Sequence, residues 1–374
     1  MFPHSSSSLL PLKGSSSSQN ILSNNILNRN AYNILNLNLN LNTNKNNRKK
    51  NFQRNKSKEE INIKNPKYYN ISMLSKQKQL QLNKNKILLI NLTSCVTELA
   101  RILILAGFNI YLYDKEKVTE NDVNNNIYIQ KEDLGKKRID VIYEHLIPLS
   151  NTVSISKIDD YMNIKDIKFA ISGFSDYFNL IELEDYFTRK NIYFYSININ
   201  GLYGFYYNNL DLKISHNRKD IIISPVFLRK SDKFFKNNKI HYNEKDHLKT
   251  CIFLLELYYR KNVNRKDLKK QTEEENSPEN FKKTENYFMK KILFIENYLK
   301  KMGFNSMANN KELKEYLVKY LINYNQEFNP ICSMLANIVS NEIYNFVIEK
   351  ELPKINITCY NSEIHKFDYT SFLN

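Results

Sequence analysis

From Lys86 onward the chain alternates short apolar runs with stretches of helical period, and few architectures accept that rhythm. Residues 87–92 read as a buried strand, 97–106 as a helix closed by Gly107, and 109–113 as a second strand ending at Asp114. A helix over 138–146 and strands over 152–155 and 169–172 come next, then a helix over 177–189 and a strand over 192–197. That strand leads into the turn-rich Gly201-Leu202-Tyr203-Gly204. Continuous apolar strands separated by helices are what a parallel sheet covered on both faces requires. The order therefore predicts an α/β fold, a doubly wound and mostly parallel sheet with right-handed crossovers. After Pro225 the pattern turns helical, at 247–259, 287–301 and 311–324, with a charged, non-periodic segment over 261–285 expected as an exposed insertion. An apolar helix over 330–348 then precedes two short strands, 355–360 and 365–369. No repeat of solenoid period is present.

The rhythm is missing before residue 66. Two serine runs, an alternating Leu-Asn segment and the basic stretch 44–58 hold too little apolar surface to offset the entropy of ordering, so residues 1–65 are expected to be a disordered low-complexity tail. Its start is serine-rich and acid-poor like a transit peptide, but without early arginines or an apolar core. The run Arg48-Lys49-Lys50 with Arg54, Lys56 and Lys58 reads as a weak nuclear signal or as a solvated part of the tail. The expected organisation is thus a tail (1–65), an α/β domain (66–260), a charged linker with a helical insertion (261–327) and a C-terminal return to the domain (328–374).

Charge and reactive side chains narrow the function by exclusion. The net charge of +16 comes from lysines scattered among Asn, Ile and Tyr, not from one basic stripe, which argues against a specific nucleic-acid partner. The longest apolar stretch, 102–108, is far short of a membrane span, so a soluble protein without a membrane partner is expected. The four cysteines, Cys95, Cys251, Cys332 and Cys359, form no CxxC pair, fit a reducing compartment, and each reads as a packed core residue. His145, His216, His241, His247 and His365 show no ligand spacing, so no metal is expected. Gly173-Phe174-Ser175-Asp176 is not a nucleophile elbow; it reads as a strand exit with Asp176 capping a helix.

The turn after the first strand carries the sharpest information. In nucleotide-binding α/β domains that turn is glycine-rich, so that backbone N–H groups can approach a phosphate and the helix can pack close to the strand. Here it reads Asn91-Leu92-Thr93-Ser94-Cys95-Val96, with no glycine, and β-branched Val96 stands where the helix must start against the phosphate. Asp114 is placed to reach a ribose or to act as a strand-end acid or helix cap. A nucleotide-binding fold that has lost its nucleotide is the expectation, with no cofactor-binding residue and Asn91, Ser94 and Val96 marking the degenerate turn.

Several separated segments, in order, resemble the ThiF-type adenylation domains of the ubiquitin-activating family. Glu98-Leu99-Ala100-Arg101 and Leu103-Ile104-Leu105-Ala106-Gly107 match the family's first helix almost position for position. Where catalytic members carry N-L-N-R-Q, this chain has Val118-Thr119-Glu120-Asn121-Asp122, similar to the V-T-x-x-D of the non-catalytic subunits of SUMO-activating enzymes, with Asn125 at the position of the ATP-binding arginine. Leu134-Gly135-Lys136-Lys137-Arg138, Gly201-Leu202-Tyr203-Gly204-Phe205, and Phe328-Asn329-Pro330-Ile331-Cys332 with Asn341-Glu342-Ile343 resemble further family segments. The resemblance implies a regulatory subunit with no catalytic residue of its own, forming a heterodimer with a catalytic SUMO-activating subunit that supplies ATP, magnesium and the thioester cysteine. It also implies contact with SUMO through the complex, and a nuclear and cytoplasmic location. The equivalent subunit of the neddylation pathway and a stand-alone ThiF-like adenylating enzyme are the alternatives. Regulatory subunits of this family carry an arginine before the first strand that reaches the partner's ATP site. This chain has Tyr68-Tyr69-Asn70 there, so either Lys67 makes that trans contact or the contact is gone.

Overall fold

The computed structural model describes residues 75–149, 153–173, 177–215, 218–223, 251, 255, 281–301, 305–323, 326–351, 353–354 and 357–370, all within one of the chain's two units, Asn62–Asn374. The expected tail, Lys67, Phe174 to Asp176, His216, His241, His247, most of the 247–259 helix and residues 261–280 lie outside them.

Helix α1 (Lys76–Lys84) precedes strand β1 (Lys86–Ile90), α2 (Ser94–Ala106), β2 (Ile110–Tyr113), α3 (Glu120–Asn125), α4 (Arg138–Leu146), β3 (Ile155–Lys157) and β4 (Ile167–Ser172). Then come α5 (Tyr177–Arg189), β5 (Tyr193–Asn200), β6 (Tyr203–Asn208), β7 (Leu210–Ser215) and β8 (Arg218–Ile223). The C-terminal part holds α6 (Phe281–Lys301), α7 (Asn305–Ala308), α8 (Lys311–Ile322), α9 (Asn329–Ile348), β9 (Ile357–Asn361) and β10 (Lys366–Thr370).

Eight strands form one sheet in the order β10-β9-β6-β5-β4-β1-β2-β3. The five strands β3, β2, β1, β4 and β5 pair parallel, and β6, β9 and β10 extend the sheet antiparallel. The fold is the doubly wound, mostly parallel α/β sheet expected. Period-two alternation sorts its side chains onto two faces. Ile87, Leu89, Ile110, Leu112, Phe169 and Ile197 join a core with α2, α4 and α9, whereas Leu88, Ile90, Ala170 and Phe194 join a second core with α5, α6 and α8. The chain leaves β1 toward β2 and β3 on one side and returns to β4 on the other, so the sheet's switch point lies at the carboxyl ends of β1 and β4, where such folds bind ligands.

Four features depart from expectation. Helix α1 is too polar to announce itself, and only Leu82 of it is buried. Strand β6, expected as part of a turn-rich segment, is buried at all six positions, so its aromatic run shows no alternation to read. The hairpin β7–β8 had a readable alternation in Leu210, Leu212 and Ile214, and it was missed. Helix α9 is long and apolar enough by composition to cross a membrane, which corrects the expectation that no such stretch exists. Here it is a core helix, packed on α2, α1, β5 and β6.

Candidate functional site

At the switch point β1 turns into α2 without glycine. Asn91 takes the left-handed conformation, φ 59°, that the first glycine of a phosphate turn normally supplies; asparagine is among the few residues that tolerate it. The turn is held by the Asn91 N–H on the Tyr113 carbonyl at 3.1 Å and by the Thr93 N–H on the Asn91 carbonyl at 2.7 Å. Gly173, at the exit of β4, presses on it so closely that a Cβ there would lie 2.5 Å from the Asn91 carbonyl oxygen. Leu92, Cys95 and Val96 point into the core, each at most 1 % exposed. Ser94 to Val96 are already helical, which is why α2 starts three residues earlier than its periodicity suggested.

The Asp114 carboxylate faces inward and both of its oxygens are engaged. Oδ2 accepts from the Leu92 N–H at 2.7 Å and from Arg138 Nε at 2.7 Å, and Oδ1 accepts from the Glu116 N–H at 2.8 Å. Arg138 also donates through Nη1 to Asp122 Oδ1 at 2.9 Å and through Nη2 to Asn91 Oδ1 at 3.4 Å. Burial alone would lower the guanidinium pKa; Asp114 and Asp122 outweigh it and raise that pKa. Asp122 also closes a capping box with Thr119 at the start of α3. The Val118-Thr119-x-x-Asp122 motif is therefore a helix start that anchors an arginine, and Asn125 donates to Asn121 Oδ1 on the same helix.

A carboxylate from the far end of the chain enters this turn. Glu327, 6 % exposed, accepts from the Cys95 N–H through Oε2 at 3.4 Å and from the Ser94 N–H, so it sits on the first free amides of α2. Helix N-termini favour an anion because unpaired N–H groups and the macrodipole converge there. The Thr93 hydroxyl lies against the same carboxyl, yet Thr93 Oγ1 and Glu327 Oε1 are both buried without a hydrogen bond of good geometry. Burial pushes the Glu327 carboxyl up to about 7, opposed by those donors and by the Arg138 charge. The segment is clamped around it: the Gly201 N–H donates to the Gln326 carbonyl at 2.7 Å, Ser94 Oγ to Asn329 Oδ1 at 2.8 Å, and Cys95 Sγ to the Cys332 carbonyl at 3.5 Å. The structure thus brings Asn91, Ser94, Val96 and Asp114 together. Sequence reasoning missed Glu327 and the pairing role of Arg138. Glu327 stands immediately before the Phe328-Asn329-Pro330 segment, and an acid beside a matched segment was the one signal available.

No family model matches the chain. It is distantly homologous to the enzymes that activate ubiquitin and ubiquitin-like proteins. It is 32 % identical over 96 residues to the NEDD8-activating enzyme E1 regulatory subunit of Xenopus laevis, covering 25 % of this chain and 18 % of that protein. It is 29 % identical over 147 residues to the DNA damage tolerance protein rad31 of Schizosaccharomyces pombe, covering 37 % of this chain and 47 % of that protein. The chain thus spans less than half the length of these curated relatives. Among solved structures, E. coli MccB overlays on it with a TM-score of 0.44 and 12 % identity, over 79 % of this chain and 64 % of that one.

Proposed function

We propose that this chain is the regulatory, non-catalytic subunit of a heterodimeric SUMO-activating enzyme, holding neither ATP nor the thioester cysteine. One observation carries the reading: the Glu327 carboxylate lies on the α2 amides where a nucleotide phosphate would have to bind. A polyphosphate brought there would meet buried Val96, an Asp114 already paired with Arg138, and a like charge. The residues do not fit a nucleotide. All four cysteines are buried, and burial raises the Cys95 and Cys251 thiols, the opposite of what a thioester-forming thiolate needs.

In this reading the partner subunit binds ATP and magnesium and forms the adenylate and the thioester, while this chain supplies a rigid surface that holds the partner in its competent shape. Lys67 is proposed for the trans contact to the partner's ATP site, and the complex is proposed to work in nucleus and cytoplasm. SUMO is preferred over the neddylation modifier because Val118 to Asp122 resembles the SUMO-pathway segment. The similarity to a NEDD8-activating regulatory subunit is what favours the second reading. The test is thioester formation by a catalytic subunit with ATP and magnesium, with and without this chain, offered SUMO or the neddylation modifier. Thioester that needs this chain and SUMO supports the proposal, and dependence on the neddylation modifier moves the chain to the second pathway. Pyrophosphate release by this chain alone would overturn both.

A further inference from the structure

We propose that the end of the sheet formed by the β5–β6 and β9–β10 turns is a docking surface for an uncharged, apolar protein face. The inference rests on the regulatory-subunit reading, in which that face belongs to the catalytic chain.

Four large apolar side chains, Leu202, Ile322, Phe328 and Ile364, are 41–61 % exposed, and the backbone gathers them from four segments. Gly201 pairs in parallel with Glu327, so the next residues, Leu202 and Phe328, run side by side. The Leu202 carbonyl accepts at 3.1 Å from the N–H of Ser362, which shares the β9–β10 turn with Ile364. Asn323, next to Ile322 at the end of α8, lies so near Gly201 that a Cβ on that glycine would meet the Asn323 Cβ at 2.8 Å. Alternation along extended backbone turns Glu327 and Tyr203 inward and Phe328 and Leu202 outward.

Single exposed apolar residues are ordinary, but a contiguous set with a polar rim marks an interaction site. Among the described residues the rim is Asn323, Gln326 and Ser362, and the bordering charges are Lys319, Glu363 and Lys366. Lys319 and Glu363 pair at 3.0 Å, which leaves a single net positive charge, with His365 neutral, in a chain of +16. A nucleic acid or an anionic membrane would require lysines or arginines around the apolar centre. Protein interfaces instead place uncharged apolar residues at theirs. Charge therefore selects a neutral protein face. Strand β5 runs parallel to β4, and β4 to β1, so this surface lies at the switch-point end of the sheet. Phe328 follows directly on the Glu327 that closes the nucleotide's place, so a partner seated here is held by the segment that fills the degenerate turn.

The experiment uses the full chain and a tagged catalytic subunit of the SUMO pathway, with affinity read by biolayer interferometry. Wild-type affinity is expected to change by about threefold or less as salt rises, since no charge pair carries the contact. Leu202→Glu combined with Phe328→Glu alters exposed positions; it is expected to melt within a few degrees of the wild type and to bind about thirtyfold more weakly. Ile322→Glu, at the open end of α8, gives the same test should the double variant melt early, with a loss of about tenfold. Ile127→Glu, at an exposed apolar position between α3 and α4, is expected to bind as the wild type does. If the double variant and Ile322→Glu bind as tightly as the wild type, or if Ile127→Glu loses as much as they do, the surface is overturned and the regulatory-subunit reading stands. A wild type that does not bind the catalytic subunit overturns the SUMO reading itself. Sedimentation of the chain alone tests the other occupant: a wild-type dimer that the double variant abolishes makes the occupant a second copy of this chain and sinks the proposal.

Discussion

Glu327, which is buried, and Glu342, which is half-buried, both hold their protons late, and each leaves one carboxylate oxygen without a hydrogen bond. Glu342 on α9 accepts from the Tyr206 hydroxyl at 2.5 Å through Oε1, and burial pushes it up to about 7, opposed by Tyr206 and Lys354. The Tyr195 hydroxyl, also buried without a partner, is raised by burial and by this carboxylate. The ordinary value of 4.5 describes the unfolded chain. Between about pH 4.5 and 7 the native state therefore holds a proton that the unfolded state has released, and stability falls as pH rises through that window. Glu342→Gln cannot release that proton. It is expected to gain on the wild type by on the order of 2–3 kcal/mol between pH 5 and pH 8. Urea unfolding at each pH measures the gain, and parallel curves for the two proteins would refute it. Glu327 behaves alike in both proteins and drops out of the comparison. Legibility also varies at this scale. Asp114 as a strand-end acid could be read because the apolar strand pattern stops at it, although its partners Leu92 and Arg138 lie 22 and 24 positions away. The contact of Glu327 with Cys95 spans 232 positions, and no local pattern encodes it.

Among the elements, α9 shows how a soluble core helix acquires membrane-like composition. It is bounded by α2 on one side and by β5 and β6 on another, with α1 beside it, so its apolar residues occupy most of its circumference. Its approach to β6 is close enough that a Cβ at Gly204 would lie 2.5 Å from Leu335 Cδ1, so any side chain there would have to displace the tip of Leu335. Leu335 itself is fully buried. Leu335→Ala removes a side chain that rigid neighbours on two elements cannot follow, and the expected loss is about 2–5 kcal/mol with an unchanged denaturant slope. A loss below about 1 kcal/mol would mean that α9 closes over the gap and is not the fixed element described here. The elements legible in the sequence were those whose environment differs between faces or changes sharply at the ends: the parallel strands, α2, α4 and α5. Strand β6 was lost because burial on both faces erases alternation, and α1 because a helix that buries only Leu82 has no stripe to detect.

Across the whole molecule, the two cores depend on residues from both ends of the described chain. The first takes Ile331 to Val347 and Tyr360 from the C-terminal part, and the second takes Ile357 and Cys359. Strand β9 lies between β6 and β10, so the antiparallel half of the sheet exists only when the last residues return to it. Ending the chain at Glu327 would leave β6 an open edge, strip α2 of its main helical neighbour and expose apolar surface on both faces of the sheet. A chain of residues 1–327 is expected to lose its cooperative unfolding transition and to fail in the thioester reconstitution. Glu342→Gln, which keeps every element in place, is expected to support thioester formation as the wild type does. The pair separates two ways of contributing to the complex. If the truncated chain unfolds cooperatively with a near wild-type denaturant slope, the C-terminal return is an appendage. If it melts without a transition while Glu342→Gln sustains the partner, then what this chain gives the complex is its assembled shape, and that shape is completed by its last fifty or so residues.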